Sequence, residues 1–94
     1  MSVRAIVLDD KDTVATCIQG ATVGDVVQYG TGSLLCSEQI PPYHKISLID
    51  IAEGESVYKY GEVIGTALVP IPQGAWVSDH NIVGLERDYE TQLL

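Results

Sequence analysis

Both histidines of the chain, and two of its five lysine and arginine residues, fall between His44 and Asn81. The groups are His44-Lys45, Lys59-Tyr60-Gly61 and Asp79-His80-Asn81. Imidazole changes charge near neutral pH, so His44 and His80 are candidates for acid or base work, or for contact with a hydroxyl. Lys45 and Lys59 offer cations to a carboxylate, and Tyr60 offers a hydroxyl. Gly61 bares the backbone N–H of a turn. Asn81 brings both a donor and an acceptor. Each group alone has an ordinary explanation: a histidine bonded to backbone at a strand start, or a surface lysine beside a packed tyrosine. Together they can hold an anionic ligand or do proton chemistry. A metal ion held within the chain would have only His44, His80 and Asp79 to draw on, which is too small a set. The chain has no nucleophile elbow and no phosphate loop. Gly30-Thr31-Gly32 lacks the third glycine and the helix of a dinucleotide fingerprint.

These residues must be positioned by short strands. Val3, Ala5 and Val7 alternate with Arg4 and Ile6, Asp9-Asp10-Lys11-Asp12 makes a turn, and Thr13–Ile18 returns, which predicts a hairpin. Further strands are expected at Val26–Tyr29, Ser33–Cys36, His44–Leu48, Ser56–Lys59, Val63–Val69 and Ala75–Ser78. On a strand, neighbouring side chains face opposite ways, so His44 and Lys45 serve different faces. Pro41-Pro42 sets a stiff break before His44. A short helical turn is expected at Asp50-Ile51-Ala52. The tail Val83–Leu94 fits either helix or irregular chain. One turn device recurs three times: Ala21-x-x-Gly24-x-x-Val27, Ile51-x-x-Gly54-x-x-Val57 and Ile71-x-x-Gly74-x-x-Val77. It reads as a buried aliphatic anchor, a glycine at positive φ and a strand that re-enters the core. The period is irregular, which excludes a solenoid. The fold class is therefore all-β, in one domain over residues 1–94.

Composition narrows the function. Ninety-four residues leave little room for a complete enzyme. A formal charge of −8 argues against nucleic acid and anionic membranes as partners. No apolar run approaches a membrane span, and the N-terminus lacks a signal-peptide pattern, so a cytoplasmic location is expected. Cys17 and Cys36 are expected as reduced thiols in the core.

The run from His44 to Gly65 resembles a known pattern. The altronate/galactarate dehydratase family has H-K-x-A-L-x-D-I-x-x-G-x-x-V-x-K-Y-G-x-x-I-G there. Ile71–Asn81 resembles its continuation, I-x-x-G-x-H-V-H-V-H-N. Ser47 replaces the usual alanine, and Trp76 and Ser78 stand where the family has histidines. The resemblance implies a SAF domain, a small β-clip of short strands and Gly-containing turns. It implies the small subunit of a two-subunit sugar-acid dehydratase, a hydro-lyase inactive without its large catalytic subunit. That partner would carry iron(II) or another divalent metal. This chain would act as a lid, with His44 and His80 catalytic and Lys45, Lys59, Tyr60, Gly61 and Asn81 holding the sugar-acid or hydroxy-acid substrate.

Two alternatives stand beside this expectation. One is the small subunit of a sulfolactate sulfo-lyase, a carbon–sulfur lyase of the same family. The other is a non-catalytic binding or assembly module, since SAF-like β-clips also occur in sialic-acid-synthase-like enzymes, antifreeze-type proteins and flagellar or pilus chaperones. The exposed edges of so small a β domain also favour a homo-oligomer when it is isolated.

Overall fold

The computed structural model describes residues 2–84. They form an all-β domain of nine short strands, with no helix among them. The strands are β1 (Ser2–Ile6), β2 (Val14–Cys17), β3 (Val26–Tyr29), β4 (Gly32–Leu35), β5 (His44–Ser47), β6 (Ser56–Lys59), β7 (Glu62–Ala67), β8 (Trp76–Val77) and β9 (Ile82–Gly84). Six of them form a sheet in the order β4-β3-β1-β2-β5-β8, and three form a second in the order β6-β7-β9.

The N-terminal hairpin is present: β1 and β2 run antiparallel, with Ala5 opposite Cys17. The turn between them is held by the carboxylates of Asp9 and Asp12, which accept from Lys11 N–H (2.9 Å) and Leu8 N–H (3.3 Å). The expected strands all appear, β3 and β6 at the expected residues and the others with ends shifted by one or two residues. Two expectations need correction. Asp50-Ile51-Ala52 does not form a helical turn, because Ile51 bridges Ile71 through backbone hydrogen bonds of 2.8 Å in both directions. Val83 and Gly84, the start of the unassigned tail, belong to β9, where they pair with Thr66 and Gly65 of β7. A side chain at Gly65 would place its Cβ 2.6 Å from the carbonyl of Val83, so this glycine is what admits the last strand. The rest of that tail, 85–94, lies outside the described residues.

The threefold turn device is built as its spacing implies. Gly24, Gly54 and Gly74 have φ of 93°, 87° and 87°. Val27, Val57 and Val77 are fully buried. In each copy the residue after the glycine donates back three positions, as Asp25 does to Thr22, Glu55 to Ala52 and Ala75 to Pro72. Glycine at the third position marks these as type II turns. Each glycine N–H then reaches a strand end elsewhere: Gly24 to Cys36, Gly54 to Ala67 and Gly74 to Ser47. The device therefore ties three strand pairs together as well as turning the chain.

Period-two alternation divides the core into two clusters on opposite faces of one sheet. Ala15, Cys17 and Ile46 belong to a cluster with Ala5, Val27, Leu34 and Ile40. Val14 and Val77, from the same strands but opposite parity, belong to one with Ile51, Val57, Ile71 and Ile82. The segment β2-β5-β8 is therefore buried from both sides. That explains why Ile46 and Ser47 of β5 are fully buried while its entry, His44-Lys45, is half-buried.

Cys17 and Cys36 are free and buried in the first cluster. Burial pushes the Cys17 thiol up to about 11, with Cys36 adding to the effect, and burial also raises Cys36. Since the thiolate is the reactive form, Cys17 should alkylate with iodoacetamide at about pH 8 roughly a hundredfold more slowly than in urea, and Cys36 should also be slowed. Mass spectrometry over time checks this, and fast native labelling of either thiol would contradict it.

Candidate functional site

The site grows from the entry of β5. Pro42 and Tyr43 occupy the middle of a tight turn closed by His44 N–H donating to the Pro41 carbonyl at 3.1 Å. Tyr43 takes φ of 69°, in the slot where a type II turn favours glycine. Its N–H donates to the Cys17 carbonyl at 2.7 Å, which fixes the turn against the end of β2. The chain then enters β5, with His44 opposite Cys17 and Lys45 opposite both Thr16 and Val77.

On one face, three rings form a row. The Trp76 indole N–H donates to His44 Nδ1 at 3.0 Å, with the ring centroids 5.5 Å apart at 66°. The His80 ring lies 4.6 Å from Trp76 at 45°. His80 Nδ1 contacts the Ser78 hydroxyl. Trp76 is an edge-strand residue, and side chains satisfy its backbone on the open side. Its N–H donates to the Glu38 carboxylate at 2.9 Å, and its carbonyl accepts from Asn81 Nδ2 at 2.8 Å. Asn81 also accepts from Ser78 N–H at 3.0 Å. Asn81 is buried, with both ends of its amide engaged in the 76–81 turn. The local bend that His80 needs is thus built by Ser78 and Asn81.

On the other face of β5 lies a cationic group. Lys45 is half-buried. Burial pushes its ammonium below the usual lysine range, Lys59 pushes the same way, and Asp79 and Tyr60 oppose them. Lys59 Nζ sits 4.8 Å from the centre of the Tyr60 ring. Tyr60 and Gly61 have φ of 61° and 74°, a type I′ pair that turns β6 into β7. The Gly61 N–H is not open to a ligand: it donates to Asp12 at 2.8 Å. Asp9 fills the space beside it, 2.8 Å from where a Cβ would be. The hairpin tip is thereby docked on the β1–β2 turn, which sets Lys59 and Tyr60 relative to Lys45.

Three surface hollows are lined by other parts of the chain, one by Asp50, Pro70 and Pro72, one by Asp9, Tyr29 and Thr31, and one by Gln19, Thr22 and Gln39. The two groups around β5 line none of these, and Tyr60 and His80 are exposed. Among the described residues no three of His, Cys, Asp and Glu gather as a metal-binding set. Each imidazole has its Nδ1 engaged inside the row. The donors among the described residues therefore do not fit a resident metal ion.

A strand order and turn set of this kind can be compared with known families. Residues 3–85 match the altronate/galactarate dehydratase SAF domain. The chain belongs to that family. It is 35% identical to galactarate dehydratase (L-threo-forming) of Escherichia coli over 78 residues, covering 83% of this chain and 15% of that enzyme. It is 36% identical to altronate dehydratase of the same organism over 70 residues, 74% of this chain and 14% of the enzyme. With (2R)-sulfolactate sulfo-lyase subunit alpha of Chromohalobacter salexigens it shares 33% over 89 residues, 87% of this chain and 95% of that subunit. The chain thus spans a small part of the two dehydratases and nearly all of the sulfo-lyase subunit.

Sequence reasoning missed two parts of this SAF domain's site. Trp76 and Ser78 look like departures from the family's histidines, yet they organise His44 and His80. Tyr43 has no motif to mark it; its signal is positive φ in a bulky residue that is 71% exposed. Left-handed backbone costs such a residue about 1–2 kcal/mol. Tyr43→Gly should therefore raise stability by up to about 1 kcal/mol, after glycine's own entropic cost. A urea melt checks it, and a loss of stability would mean that the ring packs usefully.

Proposed function

We propose that this SAF domain is the small subunit of a lyase that removes a leaving group from a sugar acid or related hydroxy acid. It would cover the active site of a larger dehydratase-type partner. One observation supports this above the others. Two histidines on one face of β5, and two lysines with a tyrosine hydroxyl on the other, flank one strand entry, and neither lysine forms an ion pair among the described residues. Such a set binds an anionic, hydroxylated substrate, but it excludes no water by itself. A covering partner supplies that exclusion, and this chain acts as the lid.

Elimination next to a carboxylate needs a base for the α-proton, charge stabilisation for the enediolate and an acid for the leaving group. In our proposal Lys45 and Lys59 face the substrate carboxylate, Tyr60 bonds a hydroxyl, and His80 moves a proton. Asn81 and Gly61 hold the turns that set these groups. The iron(II) or other divalent metal implied by the family is assigned to the partner, since the donors here do not fit one. We place the complex in the cytoplasm; no helix among the described residues is long and apolar enough to cross a membrane.

A second proposal has a specific observation in its favour. Coverage of 95% of the sulfo-lyase subunit supports a separate small subunit, with sulfite as the group lost from sulfolactate. One experiment separates these readings. The tagged chain is purified from its host, the co-purifying proteins are identified, and the complex is assayed with altronate, galactarate and sulfolactate in the presence of iron(II). A stoichiometric partner of dehydratase size and turnover of one acid would support the proposal and choose the leaving group. A chain that emerges alone or as a homo-oligomer would favour the non-catalytic binding module.

A further inference from the structure

We infer that Trp76 fixes His44 as a neutral hydrogen-bond donor through Nε2–H, so that His44 grips a substrate oxygen and moves no proton. The part about substrate rests on the lyase proposal above; the part about the ring does not. An indole nitrogen only donates. Its 3.0 Å contact with His44 Nδ1 therefore requires a lone pair there, and the single proton of the neutral ring sits on Nε2.

This tautomer limits the chemistry. A base needs a lone pair facing the substrate, and Nε2–H has none. An acid would need a doubly protonated ring, which would set Nδ1–H against the indole N–H. Trp76 does not swing away freely. Its backbone is held by Glu38 at 2.9 Å and Asn81 at 2.8 Å, and its ring is flanked by His80 at 4.6 Å. Nor can Nε2–H coordinate a metal. What remains is donation to an oxygen, and a preorganised neutral imidazole is suited to an oxygen that gains negative charge during reaction. Among the described residues no buried side-chain nitrogen or oxygen lacks a partner. His44 Nε2 has no partner among the described residues, so it is not a buried atom and stays open to a ligand. The ligand class is thus a carboxylate, hydroxyl or enediolate oxygen. Trp76 is the positioning residue, and it stands where sequence comparison would record a lost histidine.

The test is spectroscopic first. In the 15N-labelled chain at about pH 8, where imidazole is ordinarily neutral, two-bond correlations should show His44 protonated at Nε2 alone. A 15N–15N coupling across the hydrogen bond should join it to the single tryptophan. Trp76→Phe, which keeps an aromatic ring without the donor, should abolish the coupling and mix the two tautomers. A His44 ring protonated at Nδ1, or no coupling in the native chain, overturns the inference, even where Trp76→Phe fails to fold. In the active complex, His44→Gln keeps an N–H donor and should stay within about tenfold of native kcat. His44→Ala should lose about a hundredfold or more, the cost of one oxyanion donor. Equal losses would overturn the donor role. A native complex that turns over no hydroxy acid would sink the lyase proposal while leaving the tautomer result to stand.

Discussion

Gly74→Ala is expected to cost about 2–5 kcal/mol, a large part of the 5–15 kcal/mol that holds a typical domain folded. Two effects add. The residue has φ of 87°, where an L side chain costs about 1–2 kcal/mol. The new Cβ would also lie 2.3 Å from the Leu35 carbonyl oxygen and 3.1 Å from the Ser37 nitrogen. Both are backbone atoms, and Ser37 N–H already donates to the Gly74 carbonyl at 2.9 Å. Relief therefore requires separating the two segments, an overpacking cost of about 1–3 kcal/mol. Gly54 is the internal control. It has the same φ of 87° in the same turn device, but open space around its Cβ. Gly54→Ala should cost only the backbone term, about 1–2 kcal/mol. Urea melts of the two variants check the difference. Equal losses would show that the crowding at Gly74 relaxes without cost.

That pair of glycines shows how far the sequence reaches. Spacing alone places the anchor, the positive φ and the buried valine in all three copies, because each is local chemistry. What packs against each glycine is long-range and leaves no mark in the spacing. The same division holds for the strands. Alternation places β3 and β6 at the residues observed, whereas the parallel pairing of β1 with β3 joins segments more than twenty residues apart and has no local signal. The helical turn expected at Asp50-Ile51-Ala52 fails because Ile51 bonds to Ile71 in preference to its neighbours. In the site, the two-faced entry His44-Lys45 is legible from strand geometry. The indole bond to His44 is not, because it depends on β8 pairing with β5 across thirty residues. Gly61 shows the converse: its turn is readable, but the carboxylate that takes its N–H comes from Asp12, 49 residues earlier in the sequence.

Lys45→Met is expected to make the isolated domain more stable and, on the lyase proposal, its complex with the larger partner much less active. Lys45 is half-buried next to Lys59, and no ion pair with it forms among the described residues. Burial and Lys59 together hold its ammonium below the usual range. The unfolded chain therefore binds that proton more tightly than the fold does, and stability should rise with pH through the window below the ordinary lysine value of about 10.4. At neutral pH the charge opposes folding, so methionine, similar in length and uncharged, should gain up to about 1 kcal/mol, or a few degrees in Tm. The alkaline rise should flatten in the variant. Thermal melts from about pH 7 to pH 10 read both effects, and a variant less stable than native with an unchanged profile would mean that the ammonium has a stabilising partner. Activity should move the other way. A charge-assisted bond to a substrate carboxylate contributes about 1.5–3 kcal/mol, so turnover of the complex at low substrate should fall roughly 10–100-fold. A half-buried cation that weakens its own fold and forms no ion pair among the described residues is hard to explain as scaffold. It is the arrangement expected of a group whose counter-ion arrives with the substrate.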